Sequence, residues 1–450
     1  MSRRTNRIHM ALLVAAVMAA TFSCSSALQL QTVTQNHRQA DFQAAYDELL
    51  SLETHYVERQ GRLLFALDAG LLAHYANEWD SSNRFLDEAQ RRIWEAYTES
   101  ITANVASYLV NDNTRAYQGE DYEDIYANVF KALNYVHMGN ADAALVELRR
   151  FAEKQQMLQN KFDTLMAAVD TTAGRSAGYQ VDAGVSIRFS SSALGNWLHM
   201  VLARDSGEVS QAQFSANQVR QAFAKQPAIY PFKIPSTVAK DLAVPTDGKV
   251  RVNLVAFTGL APYKEEVVER FWLSPGNYVK IALPSMVERP TSVASIDVRL
   301  SNGIRFVLEP MEDIGKVAQE AFRLKRSYIE SKTVIRSLLK STGTAVIDAT
   351  TNAMSANAET REEANSIQVY GMLLSFASRI FNEASEQADV RLSHFYPDMA
   401  WVGGVDLPVG TYDAYVVYRD RSGRIIHEQN LTNLEVAHGN LGLWESVCPL

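Results

Sequence analysis

Residues with catalytic or ligand-binding chemistry are scattered through this chain of 450 residues. Its nine histidines include no pair spaced i, i+4, so the HExxH zinc motif is absent. The sequence also lacks the Gly-x-Ser-x-Gly nucleophile motif, the P-loop, the Gly-rich dinucleotide motif and the EF-hand loop. Two cysteines are too few for a multi-thiolate metal site. We therefore expect a protein that is not an enzyme and that needs no cofactor or metal.

One acidic cluster could still bind a cation. It consists of Glu120, Asp121, Glu123 and Asp124. The alternative is a charged helix N-terminus, where acidic side chains interact favourably with the helix macrodipole. The second interpretation is favoured.

A Gly-containing loop after a strand pattern is a candidate binding loop. Residues 258–264 read TGLAPYK, in which the Gly backbone and the Lys ammonium could hold an anion. A simple strand-exit loop is the alternative. The candidate residues are Gly259, Pro262 and Lys264.

The N-terminus carries an export pattern. A positive region is followed by a short apolar run, residues 10–22, and then by Cys24. A cysteine directly after an export core, followed by serines, resembles a bacterial lipoprotein signal in which that cysteine is acylated. An ordinary cleaved signal with an incidental cysteine is the alternative. Ser25, where some signals have Asp, favours sorting to the outer membrane, with the protein facing the periplasm.

The remaining composition limits the partners. The net charge of −8 argues against nucleic-acid binding, which requires a basic surface. If Cys24 is acylated, Cys448 has no intrachain partner, and the core alone must hold the fold.

The pattern from residue 40 to residue 225 is helical. Two amphipathic helices joined at Gly139 occupy residues 117–154, with small residues for close packing and Glu123, Asp124, Lys131 and Glu147 predicted to face solvent. The helix-packing positions that fit a tetratricopeptide (TPR) pattern are Gly70, Ala132, Tyr135, Gly139, Ala144 and Ala212. Generic helical hairpins are the alternative.

A repeat period supports the TPR-like interpretation. Ser82, Ala144 and Ala212 each lie five residues after a turn residue, Asn77, Gly139 or Gly207. The separation between the last two units is twice the TPR period of about 34 residues. Degenerate helices at 92–110 and 152–169 would supply the intervening half-units.

Alternating strand patterns begin after four prolines. They lie at 250–257, 278–283 and 296–308, and they resume between 402 and 447 after two long helical stretches. The predicted fold is α+β: an N-terminal TPR-like α-helical repeat domain, then a small antiparallel β-sandwich interrupted by a long helical hairpin. The predicted segments are a signal peptide (1–23), a lipidated N-terminus and tether (24–39), the helical domain (40–225), a Pro-containing linker (226–248), the β-sandwich (249–310 and 395–450) and the hairpin (311–394).

The order of these features resembles a family of largely uncharacterised bacterial envelope lipoproteins with a TPR-like N-terminal half. The segments that carry the resemblance most specifically are residues 117–123 (YQGEDYE) and 259–264 (GLAPYK). The resemblance implies export and a periplasmic helical scaffold, and it implies no catalytic residues.

The sequence therefore predicts a membrane-anchored scaffold that binds protein partners in the cell envelope. TPR-like stacks present concave binding surfaces. The alternative function is an envelope ligand-binding protein that holds a hydrophobic small molecule between the helical and β domains.

Overall fold

Helices form the first half of the chain. The structure is a computed structural model that describes residues 25–101, 116–169, 188–243, 245, 248–274, 277–333 and 387–450. The described helices are α1 (Ser25–Arg38), α2 (Phe42–Ser51), α3 (Glu53–Gln60), α4 (Arg62–Tyr75), α5 (Trp79–Ile101), α6 (Asp121–His137), α7 (Ala141–Val169), α8 (Ala193–Asp205), α9 (Val209–Lys225), α10 (Thr237–Lys240) and α11 (314–333). No helix in these ranges is long and apolar enough to cross a membrane.

Three helical hairpins turn at the predicted residues. Asn77, Gly139 and Gly207 all have positive φ angles, between 63° and 77°. The residue that follows each of them donates its backbone N–H to the carbonyl of the residue five positions before it, as in a Schellman motif. For example, the Asn140 N–H donates to the Tyr135 carbonyl at 2.8 Å. Gly and Asn tolerate this left-handed backbone, which is why these sequence positions end the helices.

The TPR repeat itself is not confirmed. α5 runs unbroken for 23 residues and α7 for 29. The helices predicted as separate half-units at 92–110 and 152–169 are, in their described parts, the ends of these longer helices; residues 102–110 lie outside the described ranges. Neither α5 nor α7 contains a Gly or Pro that could interrupt it.

Two segments predicted as connectors are structured. Residues 25–38, expected to be part of a tether, form α1, which is packed against the core through Val33 and His37. Residues 226–248, the expected linker, contain α10. Tyr230 and Asp241, which lie on either side of α10 in this segment, are buried. Cys24 lies outside the described residues.

Strands that precede the 334–386 segment pair in one sheet with strands that follow it. The described strands are β1 (Val250–Thr258), β2 (Tyr263–Ser274), β3 (Asn277–Val287), β4 (Ser295–Leu300), β5 (Arg305–Asp313), β6 (Met399–Leu407), β7 (Gly410–Arg419), β8 (Ile425–Val436) and β9 (Leu443–Cys448). Seven of them follow the order β8-β7-β4-β5-β6-β1-β9, antiparallel except for the β1–β9 pair. Residues 334–386, where most of the hairpin was predicted, lie outside the described ranges.

The predicted sandwich of two sheets is not confirmed. The seven-stranded sheet curls until its edge strands β8 and β9 approach, where Gln429 Oε1 accepts hydrogen bonds from the Val447 N–H and the Ser446 hydroxyl. The strand expected at 278–283 does not join this sheet. It is part of β3, which forms a separate two-stranded sheet with β2 among the described strands. The alternation pattern did not predict β2.

The period-2 alternation of β1 divides the apolar residues between two cores. Val252, Leu254 and Ala256 belong to a core inside the curled sheet. Val255 and Phe257, on the opposite face, pack with the helices. The helical half is therefore fixed against the outer face of the sheet.

Candidate functional site

The acidic residues at 120–124 cap α6. Glu123 Oε2 accepts hydrogen bonds from the Glu120 N–H and the Tyr117 hydroxyl, both at 2.7 Å. Burial, and then the neighbouring charge of Glu120, raise the pKa of Glu123 to about 7. The other two acids form ion pairs with α7, Asp121 with Lys161 and Asp124 with Lys154. No cluster that could hold a metal occurs in the described ranges, and the arrangement favours the helix-terminus interpretation.

The candidate binding loop turns its lysine inward. Lys264 is buried, and its Nζ lies 2.6 Å from Glu120 Oε1, an oxygen that Lys325 also contacts at 3.0 Å. Gly259 has a φ of +69°, and a Cβ there would lie 2.8 Å from the Thr291 Cβ. Pro262 is buried. The YQGEDYE and GLAPYK segments thus meet through a buried ion pair, and the Lys264 charge is directed at Glu120 rather than at a ligand.

Five of the six predicted helix-packing positions are at least half-buried, and Gly139 is exposed in a turn. A Cβ at Gly70 would come within 2.7 Å of Leu86, so α4 and α5 approach closely there. The three alanines, Ala132, Ala144 and Ala212, are buried. Tyr135 is half-buried, and Gly139 forms the turn between α6 and α7.

Three of the side chains predicted to face solvent are buried, and that prediction is wrong for them. Glu123, Lys131 and Glu147 are each at most 3% exposed. Lys131 Nζ lies 2.6 Å from Asp87 on α5 and 3.0 Å from Glu147 on α7. Lys131 and Glu147 are covered because α5 and α7 both pack on α6. Glu123 is covered by a different segment, since its Oε1 accepts from the Ser393 N–H.

Replacing Glu147 with leucine is expected to lower the free energy of unfolding by about 2–4 kcal/mol, because it removes a partner of the buried Lys131 ammonium. Ala144→Leu, which overpacks the same helix, should cost about 1–3 kcal/mol. Glu153 is exposed on α7, so Glu153→Leu is the matched control. Urea unfolding checks this; a Glu147→Leu midpoint equal to that of Glu153→Leu would contradict the buried pairing.

A groove runs along this three-helix unit. Its volume is about 550 Å³, with α6 below and α5 and α7 on either side. Trp94 is 66% exposed and Met157 is 53% exposed, both on its walls. Single exposed apolar side chains are ordinary, but contiguous apolar patches mark interaction sites, and these two side chains line the same groove.

The two ends of the groove differ in chemistry. Trp94 and Tyr97, with ring centroids 5.7 Å apart, and Met157 form the apolar end. The polar end contains Arg91 on α5 and Arg150 on α7, whose side chains are 60% and 56% exposed. The charges of the groove are paired. Arg91 and Arg150 contact Glu95 and Glu147. Three further pairs lie along the lining: Lys131–Asp87, Lys154–Asp124 and Lys161–Asp121.

No sequence pattern predicts this groove. Trp94 directly follows Ile93, which is buried in the apolar stripe of α5. The sequence feature that could have indicated the groove is a large aromatic residue beside the apolar stripe of the helix rather than within it.

A second cleft lies where the helices meet strands β8 and β9. Its volume is about 700 Å³. Glu445 on β9 contacts the Nε2 atoms of His74 on α4 and His137 on α6, both at 2.8 Å. His74 Nδ1 lies 2.6 Å from Asn134 Oδ1. The Asn134 amide nitrogen donates to Ser82 and Asn83, so its oxygen faces His74.

His74 consequently has an acceptor at each ring nitrogen, an arrangement that only the imidazolium satisfies. Burial opposes this charge, but Glu445 and Asn134 more than offset it and raise the pKa of His74. Burial likewise disfavours the Glu445 carboxylate, yet the two histidines hold its pKa well below the usual range. These contacts fix β9 to two helices.

Glu445→Gln is expected to cost about 2–4 kcal/mol of unfolding free energy near pH 6, because it leaves a buried imidazolium without its counter-ion. Because the pKa of His74 is raised in the folded protein, protonated His74 adds stability below about pH 6.5. This stability is lost as the pH rises through the pKa of His74 in the folded protein. A lowered Glu pKa adds stability that is present above about pH 4.3 and is lost on acidification. The difference from wild type should therefore peak between about pH 5 and pH 6.5.

Thermal unfolding at a series of pH values measures this, with the exposed Glu435→Gln as control. A loss that does not vary with pH would show that the ion pair contributes no charge–charge stabilisation.

No family model matches this sequence, and comparison with curated proteins and with solved structures finds no similar protein.

Proposed function

We propose that the protein is a non-enzymatic scaffold of the bacterial envelope that binds a protein partner in the groove between α5 and α7. The observation that carries the proposal is the joint exposure of Trp94 and Met157 on the walls of a groove of about 550 Å³. Trp and Met are enriched in protein interfaces relative to the rest of the surface, and Trp is enriched at binding hot spots.

The architecture supports this assignment. Adjacent helical hairpins contact one another in the described first half of the chain. In a TPR-like stack, each hairpin buries one face on its neighbours and leaves another available for a partner. The sheet fixes these hairpins through one shared core, so the groove is held on a rigid support. A preformed groove loses little conformational entropy when a partner binds.

The location is part of the same proposal. Acylation at Cys24 would anchor the protein to the outer membrane, facing the periplasm. α1 starts at the next residue and packs on the body, so a lipid at Cys24 would hold the body close to the bilayer.

Cys24→Ala should abolish incorporation of a labelled fatty acid and release the protein from the membrane fraction; labelling equal to wild type would end the lipoprotein assignment. Cys448→Ala is the control, because Cys448 is the other cysteine and is buried.

Site-specific photo-crosslinking tests the groove. A photoreactive residue at Met157 should yield a discrete protein adduct in intact cells, whereas the same residue at Val307, which is 57% exposed on β5, should not. Trp94→Ala should remove the adduct at 157. Equal adducts at both positions, or none at 157, would contradict binding in the groove.

A second candidate function rests on the cleft between the helices and the β8–β9 edge. Its position matches a ligand held between the two halves of the protein, and its aromatic lining includes Phe42, Tyr75 and Trp79. The same lining contains Gln429 and Asn430, which favours a ligand with hydrogen-bonding groups over a purely hydrophobic one. Native mass spectrometry of the mature protein would show a retained ligand as added mass, and an unliganded mass favours the scaffold.

A further inference from the structure

We infer that the cleft where the helices meet β8 and β9 binds an extended segment of a partner protein, which pairs with the free edge of β9 as an added strand. The inference rests on the second candidate function, because it names the class of ligand for the same cleft. It does not depend on the groove between α5 and α7.

The cleft separates the two edge strands of the curled sheet. β8 pairs with β7 and β9 pairs with β1, and the described strands show no pairing between β8 and β9. Residues 427–432 of β8 line one side of the cleft, and residues 443–447 of β9 line the other. Two strand edges therefore face each other across a volume of about 700 Å³.

Hydrogen bonds show which backbone groups of β9 face the cleft. The Cys448 carbonyl accepts from the Gly259 N–H on the β1 side at 3.0 Å. The adjacent Val447 N–H points the other way and donates to Gln429 Oε1 on β8 at 2.9 Å. Because the direction of the backbone groups alternates along a strand, the odd-numbered residues of β9 face the cleft and the even-numbered ones face β1.

Leu443 and Glu445 consequently direct their N–H and C=O groups into the cleft. No described strand pairs with them on that side. Leu443 is only 6% exposed, and buried backbone groups need a hydrogen-bond partner. The two residues are two positions apart, so their backbone groups repeat after about 6.8 Å. An extended peptide presents its own N–H and C=O groups at the same interval and can pair with both residues.

β8 leaves room for this strand. Where β8 and β9 come closest, the Gln429 side chain joins them by accepting from the Ser446 hydroxyl and the Val447 N–H. A side chain thus stands where adjacent strands would have a direct backbone hydrogen bond. The gap between the two edges opens into the cleft, and the free edge of β9 is accessible from it.

The lining of the cleft defines the side chains of the segment. Phe42 on α2 and Trp79 on α5 are half-buried there, and the Trp79 ring stacks on His137 with centroids 4.9 Å apart. Side chains that alternate along an added strand point to opposite sides, so apolar residues at every second position would cover these rings. The five residues of β9 that line the cleft extend over about 17 Å, which is the length of a five-residue strand.

Two synthetic peptides test the inference. Each has seven residues, with alternating Thr and Val between two terminal lysines, and in one of them the five central backbone nitrogens are methylated. Methylation removes the N–H donors that strand pairing requires. Fluorescence anisotropy of labelled peptide, titrated with the purified protein, should give a Kd at least tenfold lower for the unmethylated peptide. That peptide should also slow hydrogen exchange at the amides of Leu443 and Glu445 at least tenfold.

A pair of variants tests the position of the strand. Leu443→Pro removes an N–H that faces the cleft, whereas Leu443→Ala loses the same side chain and keeps the N–H. Proline is tolerated at the first residue of a strand, and β1 does not use this N–H. Leu443→Pro should bind the unmethylated peptide about tenfold more weakly than Leu443→Ala does. Melting temperatures of the two variants would confirm that both fold.

Equal binding of the two peptides, or binding without protection of Leu443 and Glu445, would overturn the inference. Equal affinities of two folded Leu443 variants would overturn it as well, and if Leu443→Pro does not fold, the comparison of the peptides decides. Failure of both peptides would also overturn it. A small molecule retained in the native mass spectrum would then leave the second candidate function standing, and an adduct at Met157 would leave the scaffold function standing.

Discussion

Glu312→Ala is expected to lower the free energy of unfolding by about 3–5 kcal/mol, because it removes a buried acceptor that joins the two halves of the fold. Glu312 lies on β5 and is fully buried. It connects the sheet to α6, to the N-terminus of α8 and to the segment that follows α9. The substitution should therefore separate the two halves of the fold.

The hydrogen bonds of Glu312 explain this magnitude. Its carboxylate accepts from the hydroxyls of Tyr126, Tyr230 and Ser192 and from the Leu194 N–H. Alanine would leave the Tyr126 and Ser192 hydroxyls and the Leu194 N–H buried without this acceptor, whereas the Tyr230 hydroxyl can still donate to the Ser191 carbonyl at 3.2 Å. Each buried donor without a new partner costs about 1–3 kcal/mol. Burial raises the pKa of Glu312, and the hydroxyl donors oppose that shift.

Glu309→Ala is the matched control on the same strand. Glu309 accepts from Ser236 at a site that is partly open to solvent, so its loss should cost less than about 1 kcal/mol. Urea unfolding of both variants gives the comparison. Similar midpoints for Glu312→Ala and Glu309→Ala would show that Glu312 does not hold the two halves together.

Asp241→Ala is expected to cost about 3–5 kcal/mol, because it leaves the buried Arg251 guanidinium without its main counter-ion. Asp241 Oδ1 lies 2.9 Å from Arg251 Nε and accepts from Asn253 at 2.8 Å. Its Oδ2 accepts from Trp197 Nε1 at 2.9 Å. One carboxylate thus joins the segment expected to be a linker to α8 and to β1.

The same arginine supplies the control. Arg251 also contacts Asp406 at 3.0 Å, but the Asp406 side chain is 46% exposed, so Asp406→Ala should cost less than about 1 kcal/mol. Thermal unfolding of Asp241→Ala should show a lowered melting temperature in one transition. Two separate transitions, with the sheet melting as in the wild type, would indicate that residues 226–248 are a true linker.

Local features of this fold could be predicted from the sequence because they depend on neighbouring residues. The turns at Asn77, Gly139 and Gly207 follow from backbone conformations that Gly and Asn adopt at low cost. Alternation identified β1, β4 and β7, whose side chains alternate between the two faces of the sheet.

Features that depend on distant residues could not be predicted in the same way. Glu147 and Lys131 have the polar character of a solvated face, and only the packing of α5 and α7 on α6 buries them. The ion pair of Lys264 with Glu120 joins residues 144 positions apart. The groove also depends on the packing of distant residues. The sequence of one helix does not indicate that the neighbouring helices leave Trp94 and Met157 uncovered.

Oxidative footprinting of Trp94 in intact cells is the most direct test of the proposed protein-binding groove. Hydroxyl-radical labelling would be compared between cells and purified protein, with Phe214, an aromatic side chain 63% exposed on α9, as the reference. A partner in the groove should reduce Trp94 oxidation in cells several-fold while Phe214 stays unchanged. Equal oxidation of Trp94 in cells and in the purified protein would contradict the proposed function.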